Sequence, residues 1–426
     1  MNFNTNIIKI NNKDEYFEIS NLINEITNKN DYTSEKNRIK NIKTIYIIII
    51  TFFILIYLYY NLYSIDFYNI KLKKEIINIE QYFKICDKGI LINNRKFNKL
   101  ENPQISIVSS IYNEQNYILR FLRSIKNQNY DKIAIILIDD FSEDNSTKII
   151  ENIQNEDERI ILIKHKKNKG TLISRNEGLI ISKGKYILMP DSDDILSNDI
   201  LNQCIIIAEE NNYDIIRFNI YKGNNNIYMY NDIKYLVDKS IYQPELSSYI
   251  FYGKGNLKLI DPMISNKFVK RNIFINSLNM INNYFLNQNM IFYEDTLINF
   301  MLYKVAKSYY YLKNIGYFYI ANKDSSTMGY YKNEIRMNKI FNSLFIFLKF
   351  IYEYTKNNQY EKDMGNQIIT KELEMILSSK IYNKIHKNYY FYENIINMYL
   401  KNKFTSLPIK NKIKNIKDIL KKNNEH

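Results

Sequence analysis

The sequence contains no tryptophan, two cysteines, three histidines, five prolines and ten glycines among 426 residues. Cys86 and Cys204 are too few for a disulfide framework, so the fold must rest on an apolar core. Three histidines exclude a histidine-rich metal centre. The scarcity of glycine and proline excludes a collagen-like or linker-dominated chain. Hydrophobic residues make up 46% and aromatic residues 15%, which excludes wholesale disorder and allows one large or two ordinary domains.

Lys and Arg number 59 against 45 Asp and Glu, a formal charge of +14. Ile and Asn together fill about a third of the chain, and Lys and Tyr are also heavily used. The excess of lysine is therefore part of a bias that runs through the whole sequence. No basic run is interleaved with stacking aromatics in the manner of a nucleic-acid groove, so no nucleic-acid partner is expected. The charge suits contact with an anionic membrane surface.

Residues 44–65 carry no charge and include the run IYIIIITFFILIYLYY. That length spans a bilayer core of about 30 Å as a helix. Lys43 and Asp66 bound the run, and Tyr57, Tyr59, Tyr60 and Tyr63 gather toward its C-terminal end like an interfacial aromatic belt. Polar residues 1–43 precede it, unlike the layout of a signal peptide. The expectation is a single-pass membrane protein. Lys36, Arg38, Lys40 and Lys43 on one flank face Lys71, Lys73 and Lys74 on the other, so the side of the remaining chain stays open.

Residues 66–102 read as a membrane-proximal connector. From Gln104, short apolar runs alternate with segments of helical period, the pattern of an α/β fold with a mostly parallel sheet and flanking helices. Strands are expected at Ile105–Ile111, Ile133–Ile138, Ile160–Ile163, Tyr186–Met189 and Asp214–Phe218. Helices are expected around Tyr117–Ile125, Ile149–Ile153, Thr171–Ser182 (stopped by Gly184) and Ile200–Asn211. Beyond Tyr330 the pattern is helical to the end, so the organisation reads 1–43 polar tail, 44–65 membrane helix, 66–102 connector, 103–330 α/β domain and 331–426 helical region.

Polar residues gather where the strands end: Ser110-Ile111-Tyr112-Asn113-Glu114, Asp139-Asp140-Phe141-Ser142 and Asp191-Ser192-Asp193-Asp194. In open α/β sheets the ligand crevice lies outside the carboxyl ends of the strands. Each residue alone would read as a cap or turn former. Together they place carboxylates at one sheet edge. Asp191 and Asp193, two apart at a strand-to-loop junction, suit a hard divalent cation such as Mg²⁺ or Mn²⁺, which takes one or two carboxylates and completes its shell with water and phosphate oxygens.

The segments ISIVSSIYNEQNYILRFLRSI (105–125), IILIDDFSEDNSTKII (135–150), NKGTLISRNEGL (168–179) and GKYILMPDSDDIL (184–196), followed by Tyr293-Glu294-Asp295-Thr296, resemble a family 2 glycosyltransferase with the GT-A type Rossmann-like fold. The resemblance covers roughly residues 103–330. It implies a metal-dependent, inverting hexosyl- or N-acetylhexosaminyl-transferase acting on a nucleotide sugar, most naturally a UDP-sugar. It implies that Ser110, Tyr112, Glu114 and Asp139 surround the base, that Asp140 and Ser142 fix their loop, and that Arg175 reaches the diphosphate. It implies Asp191 at the ribose or metal shell, Asp193 as the direct metal ligand, and Asp295 as general base with Glu294 as its rival. Asn266, Lys267, Lys270, Arg271, Tyr319, Ser325 and Ser326 resemble the acceptor side, while His165 reads as a loop residue. The departures are Ser110, where most relatives have proline, and Ile320, where an Arg or His is common. The acceptor would be a hydroxyl on a glycan, lipid or protein.

Two other classes stay open: a membrane-tethered scaffold that keeps the fold without turnover, and a nucleotidyltransferase. The latter would carry a Gly-rich phosphate loop after the first strand, and Ser109–Tyr117 has no glycine.

Overall fold

The computed structural model describes residues 96–223, 228–229, 239–243, 263–281, 292–320 and 334–355, with Cys86, Leu246, Met290 and Asn357. The chain divides into two units, Met1–Asn78 and Ile79–His426, and every described residue belongs to the second. The uncharged run 44–65 and the tail after residue 357 lie outside the described residues. Among the described residues, no helix is long and apolar enough to cross a membrane.

The first half alternates strand and helix: β1 (Ile105–Ile111), α1 (Ile118–Lys126), β2 (Ile133–Asp139), α2 (Ser146–Gln154), β3 (Ile160–Lys164), α3 (Thr171–Ile181) and β4 (Tyr186–Leu188). The second half continues with β5 (Ile195–Leu196), α4 (Ile200–Asn211), β6 (Ile215–Gly223), β7 (Tyr228–Met229), β8 (Lys239–Tyr242) and β9 (Lys267–Lys270). It then adds α5 (Arg271–Met280), α6 (Glu294–Val305), β10 (Ser308–Ile320) and α7 (Glu334–Thr355). One sheet joins the strands in the order β3-β2-β1-β4-β9-β6-β10-β5, with β7 against β6 and β8 against β10.

The sheet is mostly parallel, as expected, but mixed, since four of its ten strands run the other way. Strands β3, β2, β1 and β4 are mutually parallel, as are β6 and β10. Strand β9 lies antiparallel between β4 and β6, and β5, β7 and β8 also pair antiparallel. The apolar pattern marks a strand but carries no direction. Strand β9 follows a long excursion and enters from the edge where β4 ends, so its first residue lies beside the carboxyl end of β4.

Both faces of the sheet are covered, as the continuous apolar strands require. Along β1 and β2, Ile105, Ile107, Ile135 and Leu137 pack with Phe121 and Ile125 of α1 and Leu201 of α4. Val108, Ile136 and Ile138 face the other way, toward Leu172 and Leu179 of α3 and the core built by α5, α6 and α7. This is the two-residue alternation of a strand buried on both sides.

Gly184 does not stop α3. The helix ends at Ile181, where Ser182 turns to extended backbone and its hydroxyl donates to the Leu179 carbonyl at 2.6 Å. Gly184 instead lies against β1: a Cβ there would sit 2.5 Å from the Ser106 amide nitrogen and 2.7 Å from the Ile105 carbonyl carbon. Just ahead of β1, Phe97 bridges to Asp157 and stacks on the Arg159 guanidinium at 3.4 Å, which attaches this stretch to the sheet.

Candidate active site

The carboxyl ends of β1 and β2 carry two loops joined by side chains. The Asn113 amide donates to Ser142 Oγ at 3.0 Å, and the Glu143 amide donates to Asn113 Oδ1 at 2.9 Å. The Glu114 amide donates to Ser146 Oγ at 2.7 Å, and the Gln115 amide to Asp144 Oδ2 at 2.9 Å. Asp139, buried at the end of β2, accepts from the Ser142 amide at 3.1 Å and from Thr147 Oγ1 at 2.7 Å. Asp139 therefore holds its own loop, and a carboxylate has lone pairs left for a further donor. Ser142 fixes the loop as expected. Ser110 accepts through its carbonyl from Ser192 Oγ at 3.1 Å, and Tyr112 stands exposed at the rim.

Asp140 holds the entry to α3. Its carboxylate accepts from the Lys169 amide at 2.7 Å and the Gly170 amide at 2.8 Å. Gly170 has φ 92°, a left-handed-side conformation that suits a residue without Cβ. His165 is more than a loop residue: it is buried, with Nδ1 2.8 Å from Asp140 and Nε2 2.7 Å from Glu177. This network sets the start of the helix that carries Arg175.

Arg175 is buried and bridges two loops far apart in sequence. Its Nη2 lies 2.6 Å from Asp191 Oδ1, and its Nη1 pairs with Asp295 Oδ1. Burial works against its charge, but Asp295 and Asp191 outweigh that and make its proton harder to remove. Asp295 lies in the first turn of α6 after Tyr293, itself at φ 65°. Asp295 does not cap that helix: its second oxygen accepts from the Ile264 amide at 3.3 Å. The 263–267 turn is held in turn by Lys267, a buried lysine whose ammonium bonds the Met263 carbonyl and lies 3.3 Å from Asn266 Oδ1.

The Asp191-Ser192-Asp193-Asp194 loop is pinned by Tyr317 of β10, a residue that sequence reasoning missed. The Tyr317 hydroxyl donates to Asp194 Oδ2 at 2.6 Å and accepts from the Asp191 amide at 3.0 Å. Asp194 also accepts from the Ile320 amide at 2.8 Å. Asp193 is half-buried, and its carbonyl accepts from Arg120 Nη2 at 2.6 Å. No local signal marks Tyr317, because its role depends on a loop more than a hundred residues away.

The loop carries excess negative charge. Burial raises the Asp191 carboxyl to about 7, Arg175 opposing and Asp295 and Asp193 adding to the rise. Burial, with Asp193 and Asp191, pushes Glu114 up to about 9. Burial, with Asp193 and Asp191, also holds Asp194 well above the usual carboxylate range. Burial and neighbouring Asp295 raise Glu294 to about 8. Among the described residues, no cluster of three or more His, Cys, Asp or Glu is arranged as a metal cage. Two carboxylates on one loop, a surplus of negative charge and a buried Glu114 Oε2 without a hydrogen-bond partner nevertheless fit a hard cation that takes few protein ligands.

The structure brings Asp139, Arg175, Asp191, Asp193, Glu294, Asp295, Ser110, Tyr112 and Glu114 to one sheet edge. It does not bring Lys270 and Arg271 there. Lys270 pairs with Asp214 at 2.9 Å, and Arg271 Nε donates to Ser182 Oγ at 3.0 Å, both at the opposite edge because β9 runs antiparallel to β4. Tyr319 lies near the end of β10, and Ser325 and Ser326 fall outside the described residues.

Residues 106–278 match the family model described as Glycosyl transferase family 2. An uncharacterized glycosyltransferase of Haemophilus influenzae is 43% identical over 101 residues, 24% of this chain and 40% of that protein. The uncharacterized glycosyltransferase EpsJ of Bacillus subtilis is 25% identical over 279 residues, 65% of this chain and 78% of that protein. The matched region spans less than half the length of the first curated relatives. Among solved structures, S. aureus TarS 1-349 in complex with UDP-GlcNAc shares the fold at TM-score 0.53 and 18% identity, over 70% of this chain and 80% of that one.

Proposed function

We propose, from the match of residues 106–278 to the Glycosyl transferase family 2 model, that the chain is a membrane-anchored, metal-dependent, inverting glycosyltransferase. It moves a sugar from a nucleotide sugar, in our reading a UDP-sugar, to a hydroxyl on a glycan, lipid or protein. The observation that carries this reading is the Asp191–Arg175–Asp295 bridge, which joins the strand-end loop to the first turn of α6 at one sheet edge. The uncharged run 44–65 supports the anchor.

In this reading Asp139 accepts from the base, and Arg175, already at the edge, turns its guanidinium toward the diphosphate. Asp193 and Asp191 would hold Mn²⁺ or Mg²⁺, which would stabilise charge on the leaving diphosphate. Asp295 takes the proton from the acceptor hydroxyl as that oxygen attacks the anomeric carbon from the side opposite the leaving group. A single displacement of this kind inverts the anomeric configuration. Glu294, raised to about 8, is mostly protonated at neutral pH and is the poorer base. Before the donor binds, Arg175 holds Asp295 in place through its Nη1.

The test is a thermal-shift series with UDP-sugars and Mn²⁺, paired with transfer assays on Asp193→Ala and Asp295→Asn. A ligand at a hundred times its Kd stabilises the folded state by about 2.7 kcal/mol. Asp295→Asn is expected to keep the nucleotide shift and lose about 10²- to 10⁴-fold in transfer. Asp193→Ala is expected to lose Mn²⁺ dependence; normal activity in that variant would sink the metal assignment.

A further inference from the structure

We infer that Phe141, together with Tyr112, forms an aromatic clamp for the base of the nucleotide donor. This inference rests on the donor reading above and names a specificity residue for it. Phe141 has φ 68° and is 43% exposed; Tyr112 is 48% exposed. Phenylalanine in the left-handed region is strained, and glycine or asparagine would make the same turn more readily. The ring is not repaid by burial in the core. A strained residue whose side chain faces solvent points to a ligand.

The backbone on both sides of Phe141 is held firmly. The Asp140 amide continues the ladder to the Ile111 carbonyl at 2.8 Å, and the Asp140 carboxylate grips the Lys169 and Gly170 amides. The Ser142 amide donates to Asp139, while Ser142 Oγ accepts from Asn113. Asn113 is itself at φ 57°. Tyr112 precedes Asn113 and Phe141 precedes Ser142, so the paired residues set one exposed ring on each loop. Strands β1 and β2 are adjacent and in register, with Ile111 opposite Asp139. One exposed ring on each loop therefore lies within two residues of the Ile111–Asp139 pair, whose carboxylate is assigned to the base edge. Planar apolar rings match the π-face of a base and offer nothing to phosphate oxygens.

The experiment uses the purified full chain and titration calorimetry with UDP, and separately with pyrophosphate, both with Mn²⁺. Phe141→Ala and Phe141→Gly are expected to weaken UDP binding about 5- to 100-fold, the range of one base–aromatic stack. Pyrophosphate affinity is expected to stay at the wild-type value. Phe141→Tyr is expected to restore UDP binding. Phe141→Gly also relieves the backbone, so its Tm is expected at or a few degrees above wild type, about 2–4 °C for a domain of this size. Unchanged UDP affinity in Phe141→Gly would overturn the inference. So would a Phe141→Tyr variant as weak as Phe141→Ala, or an equal loss for pyrophosphate, since either would mark a disturbed loop. A wild-type protein that binds no UDP would refute the donor reading before Phe141 is altered.

Discussion

Replacing Arg175 by methionine removes the guanidinium that bridges the strand-end loop and α6, while keeping an apolar stem of similar length. Breaking a buried ion pair by deleting one partner costs about 3–5 kcal/mol, because the remaining charge is left uncompensated. Here the carboxylate side chains retain 36% exposure at Asp191 and 25% at Asp295, so water softens the penalty. The expected loss is about 2–4 kcal/mol, a Tm lowered by roughly 5–15 °C for a domain of this size. The pH dependence follows from the direction of the Asp191 shift. Its carboxyl already stands near 7, above the ordinary value of 3.8, with Arg175 pulling downward against burial. Without Arg175 it rises further. An acid whose folded value lies above its unfolded value loses stability as pH rises between the two. The deficit of the variant is therefore smallest near pH 5 and largest near pH 8. Urea unfolding at pH 5, 6.5 and 8 reads this directly, and Mn²⁺ is expected to restore part of the loss by taking over the freed carboxylates. A variant as stable as wild type at pH 8, or one whose deficit grows toward low pH, would refute the reasoning. Arg175→Lys keeps the charge but not the fork that reaches both carboxylates, and should fall between.

Tyr317→Phe strips the hydroxyl that ties β10 to Asp194 and to the Asp191 amide. It should cost about 1–3 kcal/mol in chemical denaturation and weaken Mn²⁺ binding by calorimetry; unaltered Mn²⁺ affinity would show that the loop is held without it. Gly184→Ala should cost about 1–3 kcal/mol by urea melt, because the new methyl group meets β1 backbone that cannot rotate away. A wild-type midpoint would rule out that close approach.

The alternating half of the domain was legible because its elements obey local rules. Ile105–Ile111 matches β1 and Ile200–Asn211 matches α4, each bounded by an apolar run of the right period. The clustering of carboxylates at one edge was legible as well, since strand ends in an α/β sheet share an edge. Strand direction was not: Lys267 and Lys270 lie on the same short strand, yet only the Lys267 end meets the site. Glu294 and Asp295 could be read only as candidate bases, because their surroundings come from Arg175, Asp191 and the Ile264 turn, all distant in sequence. His165 looked incidental because its partners, Asp140 and Glu177, belong to a strand end and a helix.

By itself, the order of residues determined which segments of the alternating half become strands and helices, and which side chains stand at those strand ends. Those features depend on period, caps and turn chemistry within a dozen residues. Tertiary structure alone decided that Arg175 is a buried bridge, that Tyr317 pins the aspartate loop, and that Asp191 holds its proton to about 7. Burial and charge at each position are summed over neighbours from distant parts of the chain, and only the assembled sheet edge brings those neighbours within a few ångströms.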